Sequence, residues 1–146
     1  MKFELRDAAN EEQLQSCKNI RKTVFVDEQG VALEDEFDEW DVLRPEVRHI
    51  LAFDGNVPVA TSRLRRADGC AKLERICILQ PYRKYGLGRL LIARLEELAR
   101  ADGLNKAKLH GQTQAAGFYE KLGYSRGSEE FMEDGIPHLL MVKTLD

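Results

Sequence analysis

The sequence has no long apolar run. None of its hydrophobic stretches approaches the roughly 20 residues that a membrane-spanning helix needs. The opening Met1-Lys2-Phe3-Glu4-Leu5-Arg6-Asp7 alternates apolar with charged side chains and contains no apolar core of a secretory leader. There is no excess of positive charge either. Lys and Arg number 22 against 25 Asp and Glu, a net charge of -3. Without a global positive field, nucleic acid is excluded as the main partner. Cysteine is scarce: three residues, Cys17, Cys70 and Cys77, with no Cys-x-x-Cys pair. An odd number of scattered thiols does not make a disulfide framework, and the expectation is a reduced, cytoplasmic protein. Histidine is scarce too. His49, His110 and His138 lie on separate segments without metal-site spacing, so no metal is expected and a structural role is the default for each. His138 alone, in the turn Gly135-Ile136-Pro137-His138, is placed to approach an acceptor. Internal repeats, low-complexity tracts and interdomain linkers are also missing.

What is present suits one compact domain spanning residues 1–146. Hydrophobic residues make up 43% of the chain, enough for a core. Phe3 and Leu5 alternate with polar neighbours and predict an opening strand. Asn10 is a helix N-cap, with Gln13 three residues later as a partial capping box. Leu14, Cys17, Ile20 and Val24 then recur at helical spacing. From about Asp27 to Pro45 the chain is irregular and acidic. A hairpin follows, with His49–Phe53 and Val57–Leu64 on either side of Asp54-Gly55-Asn56. Asp68-Gly69 turns into a third strand over Cys70–Leu79, which Pro81 ends. Leu87, Leu91, Leu95 and Leu98 mark one face of a helix that Gly103 terminates. A strand at Ala107–His110, a helix at Ala115–Leu122 and strands near Tyr124–Arg126 and Leu139–Lys143 complete the chain. The predicted class is α+β: a mixed, mostly antiparallel sheet of about six to seven strands, flanked by about four helices.

The most informative segment joins the third strand to the leucine-faced helix: Arg83-Lys84-Tyr85-Gly86-Leu87-Gly88-Arg89. The first N–H groups of a helix have no partner within it, and with the helix dipole they form an anion site. Glycine at 86 and 88 lets a phosphate approach the backbone. Arg83, Lys84 and Arg89 add positive charge. This chemistry suits a pyrophosphate. The segment is not a P-loop, because no Gly-Lys-Ser/Thr follows. It is not a dinucleotide fingerprint, because Leu91 stands where a third glycine belongs. The competing structural reading is a basic helix N-terminus whose glycines serve tight packing.

Arg83-x-x-Gly86-x-Gly88 resembles the R/Q-x-x-G-x-G/A motif of the GNAT superfamily of N-acetyltransferases. Ala115-Ala116-Gly117-Phe118-Tyr119-Glu120-Lys121-Leu122-Gly123-Tyr124 is similar to that family's A-x-x-F-Y-x-x-L-G-F/Y helix. The run Ile20–Gln29 and the late Gly135-Ile136-Pro137-His138 resemble a bacterial subgroup of YjcF-like and ElaA-like proteins. The resemblance covers nearly the whole chain and implies a GNAT-like fold. It also implies acetyl-CoA as co-substrate and direct transfer of the acetyl group to a primary amine of a small molecule or peptide. The pantetheine arm would pair with backbone at Ile76, Cys77 and Ile78. Backbone N–H groups from Lys84 through Tyr85, Gly86, Leu87 and Gly88 to Arg89 would hold the pyrophosphate beside Arg83. Phe118 and Tyr119 would flank the pantetheine and thiol.

Direct transfer needs a base for the amine proton, a donor for the oxyanion and an acid for the leaving thiolate. By resemblance, Tyr119 is the candidate acid, Glu74 the candidate base and the Ile78 N–H the candidate oxyanion donor; the competing readings are an aromatic packing residue for Tyr119 and a solvent or salt-bridge residue near Arg75 for Glu74. One departure from the family is Gln112, where many members carry asparagine; its longer arm changes the geometry. Cys77 has no adjacent base and is expected to be an inert buried thiol. Eight acids between Asp27 and Asp41, uninterrupted by Lys or Arg, suggest an acidic rim that attracts a cationic amine. The alternative is a solvated acidic loop. A monomer or homodimer is expected. Two other functions remain open: a non-catalytic acyl-CoA-binding sensor, and an interaction module whose glycine loop has no ligand.

Overall fold

The structure, a computed structural model, describes residues 2–146. Eight strands form one sheet: β1 (Glu4–Asp7), β2 (Val47–Asp54), β3 (Val57–Ala67), β4 (Cys70–Ile78), β5 (Lys106–Gln112), β6 (Ser125–Arg126), β7 (Phe131–Glu133) and β8 (Ile136–Thr144). Their order is β1-β2-β3-β4-β5-β8-β6, with β7 also pairing β8. Every pairing is antiparallel except β4 with β5. Four α-helices accompany them: α1 (Glu11–Arg21), α2 (Leu33–Glu36), α3 (Leu87–Ala101) and α4 (Ala116–Lys121). The α+β class and mixed sheet are as the sequence predicts. The additional strand is β7, a three-residue segment that becomes a strand only by pairing with β8 across the turn at Asp134-Gly135.

Helix α1 starts where the capping residues place it. Gln13 N–H donates to Asn10 Oδ1 at 2.8 Å, and Ala9 N–H donates to Gln13 Oε1 at 2.7 Å. The reciprocal bond thus reaches one residue further back than in the standard capping box. The helix then loosens into a π-helical segment, Lys22–Glu28, which carries Val24 and Phe25 to the edge of a cleft. Helix α3 begins at Gly86, whose φ of +72° lies in the left-handed region where glycine is favoured. Its stripe of Leu87, Leu91, Leu95 and Leu98 packs on the sheet with Leu64, Leu73 and Leu109 in the main core.

The opposite face of the sheet is different in kind. Helix α1 lies across β3, with Cys17, Ile20, Val24, Leu51, Phe53 and Cys77 forming a smaller apolar cluster. Beside it is a buried ion network. Arg21 and Arg63, each 1% exposed, are held by Glu36, Asp38, Asp41 and Glu74. Of the segment expected to be an exposed rim, Glu36 and Asp41 therefore turn inward, while Asp38 pairs with Arg63 from an exposed position. The charges that α1 and β3 bury dictate this, because an unpaired buried guanidinium costs more than ordering the loop that neutralises it.

Candidate active site

Strands β4 and β5 run parallel only from Ala71 to Leu73 and from Ala107 to Leu109. Beyond that they part. β5 continues against β8 as far as Gln112, while β4 follows β3 through an irregularity at Arg75, whose φ is +53°. A non-glycine residue in that region is strained and needs surrounding structure to hold it. Here Arg75 Nε and Nη2 donate to the Glu36 carbonyl at 3.3 and 3.2 Å, tying the bulge to α2. Leu79 N–H donates to Val59 O on the β3 side. By alternation the polar groups of Ile78 turn the other way, into the gap, where its carbonyl accepts from Arg83 Nε at 2.9 Å.

The gap opens into a cleft of about 420 Å³, the size of a small-molecule site. Ile76, Cys77, Ile78, Gly86, Leu87 and Gly88 line it from one strand and loop, and Phe118 and Tyr119 from α4. Arg83 and Glu74 also reach it. Of the residues singled out in sequence, Lys84, Tyr85 and Arg89 stand outside the lining. Tyr85 packs near Phe3 instead, at a ring separation of 6.0 Å, with Lys84 Nζ 5.6 Å from its ring. The first turn of α3 has no side-chain cap, so its N–H groups are available to an anion. Gly88 has a packing duty as well: a Cβ there would stand 3.2 Å from Phe118 Cζ.

Arg83 is already engaged. It makes a bidentate pair with Glu28 at 2.6 and 2.7 Å, clamping the loop to the π-helical segment. Hydrogen bonding from Arg83 holds the Glu28 carboxyl below its usual range. Gln112 likewise reaches across the cleft, donating to Gln29 Oε1 at 2.8 Å.

Tyr119 lies flat against β5. A Cβ on Gly111 would stand 2.8 Å from its Cε2, so only glycine admits the ring at that depth. Burial pushes its phenol up to about 12, so it stays protonated near neutrality. Glu74 is in the cleft but tightly partnered. Arg63 Nη2 and Arg65 Nε lie 2.9 and 2.8 Å from Oε1, and Lys72 Nζ lies 3.3 Å from Oε2. Burial would raise its pKa, but the Arg63 charge and the Arg65 hydrogen bond outweigh it and bring it to about 2. A carboxylate of that acidity is a weak proton acceptor. Burial pushes the Cys77 thiol up, matching the expectation of an inert cysteine.

The cleft also holds residues the sequence did not single out as functional, Arg75, Glu133 and Asp134, and one acid of the expected rim, Glu36. His110 Nδ1 lies 2.8 Å from Glu133 Oε1, and His138 Nε2 lies 3.7 Å from Glu133 Oε2. The available signal was the Asp134-Gly135 turn, which places Phe131 opposite His138 once β7 is read as a strand. Among the described residues no group of His, Cys, Asp and Glu has metal-binding geometry. No helix there is long and apolar enough to cross a membrane.

This parted pair of strands beside a glycine loop has counterparts. A family model described as an acetyltransferase (GNAT) domain matches residues 8–145. The Bacillus subtilis protein YyaT is 54% identical over 97% of this chain and 95% of its own. The Bacillus subtilis N-acetyltransferase YjcF is 47% identical over 93% of this chain and 96% of its own. The crystal structure of Escherichia coli ElaA superposes with a TM-score of 0.86 at 27% identity, covering 97% of this chain and 99% of that one. Pattern, fold and relatives agree across almost the whole length, and the chain belongs to the GNAT acetyltransferase family.

Proposed function

We propose that residues 1–146 act as one acetyltransferase domain that moves an acetyl group from acetyl-CoA to a primary amine, by direct attack in a ternary complex. The observation that carries this reading is the separation of β4 from β5 after Leu73 and Leu109. It leaves backbone polar groups of one strand facing a slot wide enough for an extended arm. In such a slot pantetheine amides would replace the missing strand partner at Ile76–Ile78. The pyrophosphate would lie at the first turn of α3, over Gly86 and Gly88, and would compete with Glu28 for Arg83. Lys84 and Arg89 would contribute charge from the rim rather than contact.

In the transfer step, the amine nitrogen attacks the thioester carbon, with the Ile78 N–H as oxyanion donor. The carbon–sulfur bond breaks and sulfur keeps the electron pair. Tyr119 Oη then gives that sulfur its proton. Glu74 acts as counter-ion to Arg63, Arg65 and Lys72 rather than as base. Cys77 takes no part. The three free thiols suit a reducing, cytoplasmic compartment.

The acceptor is an amine whose cationic character is favoured by Glu133 and Asp134 in the cleft. The acidic run contributes less than its length suggests. Glu36 and Asp41 are turned inward, Asp38 pairs with Arg63, Glu28 holds Arg83 and Asp27 pairs with Lys22 at 3.3 Å.

Two measurements test the reading. Acetyl-CoA at 100 times its Kd adds about 2.7 kcal/mol of stability and so raises the unfolding midpoint. An amine panel of spermidine, glucosamine and Nα-acetyl-lysine, read by thiol release, reports turnover. A midpoint unmoved by saturating acetyl-CoA would refute the donor site. Tyr119→Phe separates an enzyme from an acyl-CoA sensor. In an enzyme kcat falls while the acetyl-CoA shift survives; a sensor shows no turnover before or after the change.

A further inference from the structure

The two faces of the sheet present different groups to the gap. Leu109 and Gly111 point to the α3 and α4 side, where Tyr119 lies against Gly111. Side chains alternate along a strand, so His110 points to the α1 side. Strand register brings company there. His110 is opposite Leu140, Gln112 opposite His138, and Phe131 opposite His138 in the next pairing. Glu133, two residues from Phe131, shares that face.

Resting on the acetyltransferase reading above, the structure assigns His110 as the general base that takes the amine's proton, with Glu133 as the residue that positions its ring. The hydrogen-bond arrangement fixes the tautomer. The Glu133 carboxyl is held below its usual range by the hydrogen bond to His110, against the opposing effect of burial, so it is ionised and only accepts. His110 Nδ1 must therefore be the donor in the 2.8 Å contact. Its Nε2 then carries the lone pair, and no hydrogen bond among the described residues engages that atom. The side chain is 32% exposed and lines the cleft. Phe131 holds the ring edge-on at 5.1 Å. A carboxylate orienting an imidazole whose far nitrogen faces a reacting centre is the base–orienter arrangement of acyl transfer.

His138 does not fill the role. It is buried, and its Nδ1 is bonded to the Ile136 carbonyl at 2.7 Å while its Nε2 faces Glu133. Its part is to stack on Phe131 and close the back of the dyad. The proton balance is complete. Nitrogen forms its bond to the acetyl carbon, and its proton passes to His110 Nε2. Sulfur leaves with the electron pair and takes the proton of Tyr119, on the other face of the gap. Solvent then returns the proton from imidazolium to phenolate.

The charged groups around His110 are Glu133 and Asp134 of the β7–β8 hairpin, His138 of β8, Lys72, Glu74 and Arg75 of β4, and Lys108 of its own strand. Replacing Glu133 by Gln removes the carboxylate that holds the His110 ring through Nδ1. With the ring no longer held by an anionic acceptor, kcat should fall about tenfold.

His110→Asn should lower kcat by 10²–10⁴-fold, while the midpoint shift with acetyl-CoA stays at the wild-type value. The acceptor used is whichever of spermidine, glucosamine or Nα-acetyl-lysine the wild type turns over fastest. An independent readout needs no acceptor. Nitrogen-15 histidine spectra of the intact protein should show His110 with its proton on Nδ1, shifting to the Nε2–H form in Glu133→Ala, which leaves Nδ1 without that acceptor. An Nε2–H tautomer in the wild type overturns the assignment. So does His110→Asn with kcat within about threefold of the wild type. In either case the acetyl-CoA shift and wild-type turnover persist, whereas failure of the acetyltransferase reading itself removes both.

Discussion

Replacing Gly111 by Ala adds one methyl group at the closest approach in the site. An alanine Cβ would stand 2.8 Å from Tyr119 Cε2, 3.0 Å from its Cδ2 and 3.2 Å from Leu109 Cδ1. Carbon atoms rest at about 3.5–4.0 Å, so the ring must retreat by roughly 0.7–1 Å. It has little room to do so. Phe118 and Tyr124 meet it edge-on at ring separations of 5.2 and 6.2 Å, and the side chain is largely buried. Overpacking of this kind costs about 1–3 kcal/mol, which for a chain of this size lowers the melting midpoint by about 3–10 °C. The functional effect should be larger than the stability loss suggests. A displacement of about 1 Å in a group aimed at the reacting sulfur costs about 10²-fold in rate. The expected result is kcat down about 10²-fold, close to Tyr119→Phe, with little change in KM for acetyl-CoA. Gly117→Ala is the control: a Cβ there meets nothing within 4 Å, and the helix gains up to about 1 kcal/mol. Thiol-release kinetics and thermal melts on the three variants decide the matter. Wild-type kcat and midpoint in Gly111→Ala would refute the claim that this glycine sets the depth of Tyr119.

The buried ion network should make the protein acid-sensitive. Burial works against ionisation of Asp41, but the Arg21 hydrogen bond and charge bring it to about 2, and Glu74 is also at about 2. Both titrate lower in the folded protein than in the unfolded chain. Their stabilisation is therefore complete above about pH 5 and lost as pH falls towards 2, roughly 2–3 kcal/mol for each. Urea midpoints between pH 7 and pH 3 should fall accordingly. Arg63→Met should unfold about 3–5 kcal/mol more easily at pH 7 and show a flatter acid dependence; an unchanged dependence would argue against the network. Cys77→Ala should keep kcat within about threefold, and the native protein should resist iodoacetamide at Cys77, because the thiol is buried and its pKa is pushed up. Loss of turnover in that variant would point to an acetyl-enzyme instead. Neutralising Glu34 and Asp35 together should leave KM for the best cationic amine within about twofold, since both are exposed and the inward acids Glu36 and Asp41 carry the structural duty. A tenfold rise would restore the acidic rim to a steering role.

The sequence determined the elements whose signals are local. Asn10 and Gln13 cap α1, Gly86 opens α3 through its left-handed φ, and the leucine spacing of α3 selects its buried face. Gly86, Gly88, Phe118 and Tyr119 line one cleft, and both segments were legible in sequence because each is a contiguous motif. Tertiary structure decided what depends on contacts between distant segments. Glu74 reads in sequence as a candidate base or a salt-bridge residue near Arg75; the structure pairs it instead with three cations, two of them from β3. Asp27–Asp41 looks like a solvated acidic run, yet Arg21 and Arg63 draw its members inward, because a buried guanidinium needs its charge matched. Arg83 looks like a phosphate ligand, and Glu28, 55 residues away, occupies it. His110, His138 and Glu133 show no common spacing and meet only because β7 folds back on β8 beside β5. Local periodicity and capping are written in neighbouring residues. Charge partnership is set by sheet register, which no single segment of the chain contains.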